Sequence, residues 1–341
     1  MTPSNTLRSA PVVADDALLL ELRHGRHVLP VTQLAMDLGL FELLAERPAG
    51  AAELAARLGV TPRAAEAVLA VAAALGLLAA DADGGFALTE VAATYLLRSG
   101  EFYRGRFLHP DDPALTALRR ASSQEDAAIT PLAGDVALLP DEEVRDFTER
   151  MAAFARPAAG ALAAHPALAG ARRFLDVAGG SGSLAIAVAR AHPGLACAVL
   201  DRGPVCRLGE ERIAAAGLGD RVRTVDLDML GDRPWPGEQD AVLFASVWHN
   251  WDPATCAELA RRAYAALRPG GTVLVHELPL DERKDGPLAA ACLSVTMLLS
   301  HRGKQYTRSE LAALLTAAGF EDVGADQAFG LYAVVSGRRP R

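Results

Sequence analysis

The chain is short of cysteine, has no excess of basic charge and contains no long hydrophobic run, and each shortage removes a class of function. Its four cysteines, Cys197, Cys206, Cys256 and Cys292, form no CxxC pair and are too few to staple a chain of 341 residues. Reduced thiols in a cytoplasmic protein are therefore expected. With 34 basic side chains against 42 acidic ones, the formal charge is −8. A protein that follows a phosphate backbone needs a basic face, so no nucleic-acid partner is expected. The longest uncharged apolar stretch, Ala67–Ala80, is too short to cross a bilayer and suits a buried helix, so no membrane partner is expected either. The first twenty residues hold Asp15 and Asp16 and lack the basic and apolar regions of a secretory signal. No internal repeat is evident.

What is present is an ordinary globular composition, 51% hydrophobic and 22% charged, at a length that allows about two domains. Residues 16–47 read as helix, with Leu34, Leu38, Phe41 and Leu44 at three- and four-residue spacing. A short helix at 52–58 stops at Gly59, and Thr61-Pro62 starts a second that runs to about Leu78. The Asp- and Gly-rich turn that follows reads as a hairpin wing, which completes a winged-helix outline. Arg63 is the only base on its second helix, and the rest of that helix is alanine, valine and leucine. Packing or dimerisation suits such a surface better than a DNA groove. Residues 100–140 read as irregular and 140–164 as helix.

Beyond residue 165 the pattern alternates. Apolar strand candidates at 173–178, 196–201, 221–226, 240–246 and 271–277 are separated by helical segments, which implies a mostly parallel α/β sheet. The last residues should form an antiparallel hairpin. Three segments result: 1–100, 101–165 and 166–341. The first strand ends at Asp176 and runs into a turn with Gly179, Gly180 and Gly182 before a helix begins. The pattern is D-x-x-G-G-x-G, not the G-x-G-x-x-G of dinucleotide sites. A carboxylate there would repel a pyrophosphate but suits the ammonium and sulfonium end of S-adenosylmethionine. Asp201 ends the next strand, where it can accept the ribose hydroxyls, and Asp228 with Met229 follows, placed for the adenine edge and face. Any one of these acids could instead cap a helix.

These residues resemble the two-domain small-molecule O-methyltransferases, the group that includes caffeic acid and acetylserotonin enzymes and bacterial enzymes that tailor natural products. The matching motifs are DVAGGSG (176–182), VLDRGPV (199–205), DML (228–230), WHNWD (248–252), PGGTVLVHE (269–277) and GKQYT (303–307), with FTERM (147–151) upstream. The resemblance implies an N-terminal winged-helix dimerisation domain, a Rossmann-like class I methyltransferase domain, S-adenosylmethionine as cofactor, a small-molecule substrate and a homodimer. It places His249 as the base and Glu277 beside it. It also puts Phe147 and Met151 on a helix that lids the pocket and Gln305 in a family motif near it; the apolar Trp248 and Met297 and the loop residue His301 are further substrate-side candidates. Trp251 is expected to pack under the strand end.

Methyl transfer to a hydroxyl needs alignment and removal of a proton, and histidine has the pKa for the second task. Three positions depart from the family pattern: Asn250 and Gln305 replace carboxylates, and Ala245 replaces a lysine. An alternative chemistry is metal-assisted C-methylation of a 2-oxo acid, with His249 and His301 as metal ligands and Arg302 on the carboxylate. The O-methylation reading needs no metal. A third reading, a family member that binds the nucleoside without transfer, is disfavoured by the intact His249 and Glu277.

Overall fold

Gly39 is a place where local chemistry overrides the helical period. In the computed structural model, which describes residues 14–105, 107–108, 113–124 and 139–341, the helix expected over 16–47 is broken. Helices α1 (Ala17–His24), α2 (Val28–Leu38) and α3 (Leu40–Glu46) share that stretch, with a 3-10 turn at Gly25–His27. Gly39 sits at φ 76°, a left-handed cap whose N–H returns to Ala35 and Met36.

The winged-helix outline is present. It comprises β1 (Ala49–Gly50), α4 (Ala51–Leu58), α5 (Pro62–Ala74), β2 (Leu78–Ala80), β3 (Gly85–Leu88) and α6 (Glu90–Tyr95). Thr61 Oγ1 accepts from the Ala64 N–H at 3.2 Å and Pro62 opens α5. That helix ends at Ala74, short of Leu78, because Leu78–Ala80 pairs with β3 as the wing. A further helix, α7 (Pro113–Ser123), occupies part of the region read as irregular, and much of the remainder of 100–140 lies outside the described residues. The helix expected at 140–164 is two, α8 (Asp141–Ala155) and α9 (Ala159–Ala163). Pro157 stands between them and has no N–H to continue the ladder.

The second domain runs β4 (Arg173–Val177), α10 (Ser183–Ala191), β5 (Ala196–Asp201), α11 (Gly203–Ala215), β6 (Val222–Asp226), β7 (Gln239–Ala245), α12 (Pro253–Ala266), β8 (Leu267–Glu277), α13 (Leu288–Ser300), α14 (Arg308–Ala317), β9 (Glu321–Phe329) and β10 (Tyr332–Arg338). Its sheet has the order β6-β5-β4-β7-β8-β10-β9. The strands from β6 to β8 are parallel, and β10 is antiparallel to both β8 and β9, the terminal hairpin expected. Strand order reverses at β4, where a doubly wound sheet opens a crevice at its carboxyl edge. Asp176, Asp201, His249 and Glu277 all lie at or just beyond that edge.

The two domains share one core. Helix α13 is apolar on nearly every face, and it packs against α5 and α1, burying Ala289–Leu293, Val295, Met297 and Leu298 in the same cluster as Leu34, Phe41 and Leu69. Polar groups seal the junction. Arg63 donates to the carbonyl oxygens of His301 at 2.7 Å, Gly303 at 3.2 Å and Met297 at 3.4 Å. Glu66, one turn on, holds Lys304 at 2.9 Å and Lys284 at 3.1 Å. Arg63 thus faces the methyltransferase domain. No single helix among the described residues is long and apolar enough to cross a membrane.

Candidate active site

The glycine turn after β4 is shaped by the acid beneath it. A Cβ on Gly179 would lie 2.6 Å from the Asp176 carboxyl carbon, so only glycine leaves room for that side chain. Gly180 and Gly182 turn with φ of 59° and 72°. Ala178 adopts φ 55° and Ser246, at the end of β7, also φ 55°, conformations that cost a side chain about 1 kcal/mol or more each. Strained residues therefore flank the crevice on two strands.

Asp176 is 1% exposed and neither carboxylate oxygen has a hydrogen-bond partner. Burial, with the nearby Asp201 charge, pushes its pKa up to about 7. Asp201 accepts from the Gly180 and Arg202 N–H groups, each at 2.8 Å, and burial raises it to about 6. An orphaned carboxylate beneath a glycine cradle fits an ammonium group, and a second anchored acid fits a diol, so the chain's own residues suit S-adenosylmethionine. Asp228 is half exposed and pairs with Arg202 at 2.6 Å, and Met229 is half buried.

The base candidate hangs from the loop after β7. His249 Nδ1 donates to Glu277 Oε2 at 2.7 Å, in a contact 7% and 2% exposed at the two residues. Glu277 Oε1 accepts from the N–H groups of Val247, Trp248 and His249 at 3.0, 2.9 and 3.3 Å. One carboxylate therefore orders both the loop and the imidazole. The loop is also pressed from the other side, since a Cβ on Gly303 would lie 2.1 Å from the His249 carbonyl oxygen. Asp252 Oδ1 accepts from the Thr255 N–H at 2.9 Å and Pro253 begins α12, so the pair caps that helix.

Other candidates are dispersed. Trp248, expected to face the substrate, is fully buried in the core beneath the sheet with its ring 5.6 Å from Phe244. Trp251, expected in that place, is half buried, and its carbonyl accepts from the Tyr306 hydroxyl at 2.7 Å. Helix α8 buries Val144, Thr148 and Ala152, which leaves Phe147 half buried and Met151 40% exposed on the adjoining stripe. Met297 is buried in the shared core, and Gln305 is fully buried with no partner for its amide. His301 Nδ1 meets Ser300 Oγ at 2.8 Å.

Sequence reasoning missed two further histidines. His24 is 5% exposed with both ring nitrogens unpartnered, and His27 Nε2 meets Thr296 Oγ1 of α13 at 3.0 Å. Burial lowers both to about 4, and it lowers His301 to about 4 with help from the His249 and Arg63 charges. The His249 charge contributes least to the lowering at His24, after burial and the charges of Arg23, His27 and Arg26. Both stand in the charged run ELRHGRH, so no break in an apolar pattern marked them.

The raised Asp176 value gives a test. Its protonated form is favoured in the folded chain, so that contribution to stability is complete below the ordinary value of 3.8 and is lost as pH rises through about 7. An ammonium pairs with the carboxylate form, so binding below about pH 7 expels a proton. Calorimetry of S-adenosylhomocysteine near pH 6, in buffers of different ionisation enthalpy, should show net proton release that Asp176→Asn reduces. Binding heats independent of buffer would contradict the placement.

Comparison with known proteins agrees with this geometry. A family model for the O-methyltransferase domain matches residues 139–321, and one for the O-methyltransferase dimerisation domain matches residues 20–98. The chain is 37% identical over 318 residues to the 3-hydroxy-5-methyl-1-naphthoate 3-O-methyltransferase of Streptomyces sahachiroi, covering 92% of each chain. A crystal structure of an O-methyltransferase family 2 protein from Planctomyces limnophilus DSM 3776, in complex with apigenin, aligns with a TM-score of 0.88 at 25% identity, over 99% of this chain and 100% of that one. Human N-acetylserotonin methyltransferase in complex with SAM aligns with a TM-score of 0.58 at 25% identity, over 96% and 99%. Metal-assisted C-methylation and a nucleoside binder without transfer draw no support from these relatives. Among the described residues, no group of three or more His, Cys, Asp or Glu side chains is arranged to hold a metal ion. The crevice, the glycine cradle, the buried His–Glu pair and these matches lead to one conclusion: the chain belongs to the O-methyltransferase family and is an S-adenosylmethionine-dependent methyltransferase of small molecules.

Proposed function

We propose that His249 is the general base that removes the acceptor's hydroxyl proton, that Glu277 orients it, and that the acceptor is an aromatic hydroxyl compound of natural-product type. The observation that carries the reading is the 2.7 Å contact between His249 Nδ1 and Glu277 Oε2. With Nδ1–H given to the carboxylate, Nε2 is the nitrogen left to take a proton, and Glu277 then stabilises the imidazolium. His24, His27 and His301, each held near 4, are too weakly basic to compete at neutral pH. Bound S-adenosylmethionine supplies an activated methyl group, so the chain's tasks are alignment and proton removal. Asp176 would hold the ammonium end, Asp201 the ribose hydroxyls, and Asp228 with Met229 the adenine, with Phe147 and Met151 on the lid helix. The Streptomyces sahachiroi relative, named for a hydroxynaphthoate, and the relative that binds apigenin support an aromatic acceptor.

His249→Ala should lower kcat by roughly 10²–10⁴ while S-adenosylhomocysteine affinity stays unchanged, and EDTA should have no effect on the wild type. Full activity in the variant would overturn the assignment.

We also infer a homodimer formed through the N-terminal domain. Leu18, Leu19 and Leu22 of α1 are 75%, 64% and 77% exposed, a patch of one chemistry that water does not favour. A second copy of the dimerisation domain is its natural cover. Light scattering should give twice the 35.7 kDa chain mass, and Leu18→Glu with Leu22→Glu should give the monomer. A wild-type monomer would contradict the inference. The cytoplasm is the proposed location, in keeping with four free, buried thiols.

A further inference from the structure

Methyl transfer accounts for His249 and Glu277 but not for the neighbouring His276 and Tyr332. Strand register places them. Val199, Asp176, Leu243 and Leu274 lie side by side across β5, β4, β7 and β8, so they share one face of the sheet. Two residues further on, toward the carboxyl edge, Ala245 pairs with His276 and His276 with Val334, so His276 points from that same face. It stands two strands from Asp176, a lateral offset of about 10 Å. Ala245, the cross-strand neighbour of His276 on β7, carries only a methyl group. Tyr332 stacks on His276, with ring centroids 4.9 Å apart and planes at 11°. Phe154, one turn beyond Met151 on the lid helix, meets Tyr332 edge-on at 5.8 Å.

The pair is deeply buried and entirely unsatisfied. His276 is 3% exposed and Tyr332 2%, yet both imidazole nitrogens and the phenol oxygen lack a hydrogen-bond partner. Buried polar atoms without partners destabilise a fold, so they persist where a ligand completes them. Burial lowers His276 to about 4, which leaves a neutral ring with one donor and one acceptor at physiological pH. The charges that act on Tyr332 are the carboxylates of Asp16 and Glu277, and both would repel an anion.

We propose that His276 and Tyr332 form a recognition subsite that hydrogen-bonds a second, uncharged oxygen of the aromatic acceptor, remote from the oxygen that is methylated. The acceptor class is then an aromatic with at least two neutral oxygen substituents, hydroxyl or carbonyl, in preference to a carboxylate-bearing one. This rests on the reading that an aromatic hydroxyl is presented to His249.

The test uses the full chain with S-adenosylhomocysteine bound, and three probes: 2-naphthol, 2,7-dihydroxynaphthalene and 7-hydroxy-2-naphthoate. Calorimetry on the wild type should show the dihydroxy compound binding about tenfold more tightly than 2-naphthol, the gain of roughly one hydrogen bond, with the carboxylate no better than 2-naphthol. His276→Phe and Tyr332→Phe, which keep the ring stack, should erase that preference and leave S-adenosylhomocysteine affinity unchanged. Both variants should melt no lower than the wild type, because each replaces orphaned polar atoms with apolar ones. A merely structural pair would instead lose stability on substitution. Variants that keep the preference, or tighter binding of the carboxylate, would overturn the proposal. Tighter binding of the dihydroxy probe without its methylation would sustain the subsite and count against His249 as base. Methylation of both phenols with equal KM would do the reverse.

Discussion

Glu277 divides its carboxylate between two tasks, and the shape of the catalytic edge follows from that division. Oε1 gathers the N–H groups of three consecutive residues, Val247 to His249, while Oε2 holds the imidazole of the last. A 3-10 turn at 248–250 leaves these N–H groups without strand partners, and a single buried anion satisfies them. The same anion then fixes which imidazole nitrogen carries hydrogen. Removing it would release the loop and the tautomer together. Backbone order and proton chemistry are thus one interaction in this chain.

The N-terminal domain reaches the same point from the opposite side. Arg63 ties down the carbonyl oxygens of His301 and Gly303, and Gly303 packs on the backbone of His249 with no room for a Cβ. Glu66 anchors Lys304 in the next turn of that loop, at 19–24% side-chain exposure, where solvent screens less than at the surface. The base is held between β8 and a clamp built on α5, so docking of the two domains and alignment of the site are physically coupled. Buried neutral histidines complete the surroundings and add no second positive charge beside the base.

Much of this was legible in sequence wherever the signal was local. Acids ending apolar runs marked Asp176 and Asp201, and the strands they end lie within a residue or two of the expected bounds. The cap at Thr61-Pro62 and the terminal hairpin were equally readable. Long-range effects were not. Arg63 looked like the lone base of a recognition helix because its partners lie 238 and 240 residues away. The burial of Trp248 was not legible, because side-chain direction in a 3-10 turn cannot be read from helical or strand period. The breaks at Gly39 and Pro157 were visible as residues and were outweighed by the apolar period around them. His276, a polar residue in the inward row of VLVHE, carried a signal that a strand pattern alone presents as a flaw.

The most direct test of the account is the rate of the Glu277→Gln variant with S-adenosylhomocysteine affinity as control. A glutamine has a single acceptor oxygen. If it serves the three N–H groups, its amide faces Nδ1 as a donor and forces the hydrogen onto Nε2, where no proton can be taken. The account predicts a fall in kcat of about 10²–10⁴ with S-adenosylhomocysteine affinity retained. A kcat within about threefold of wild type would show that the carboxylate does not set the tautomer, and would contradict the central role given to it here.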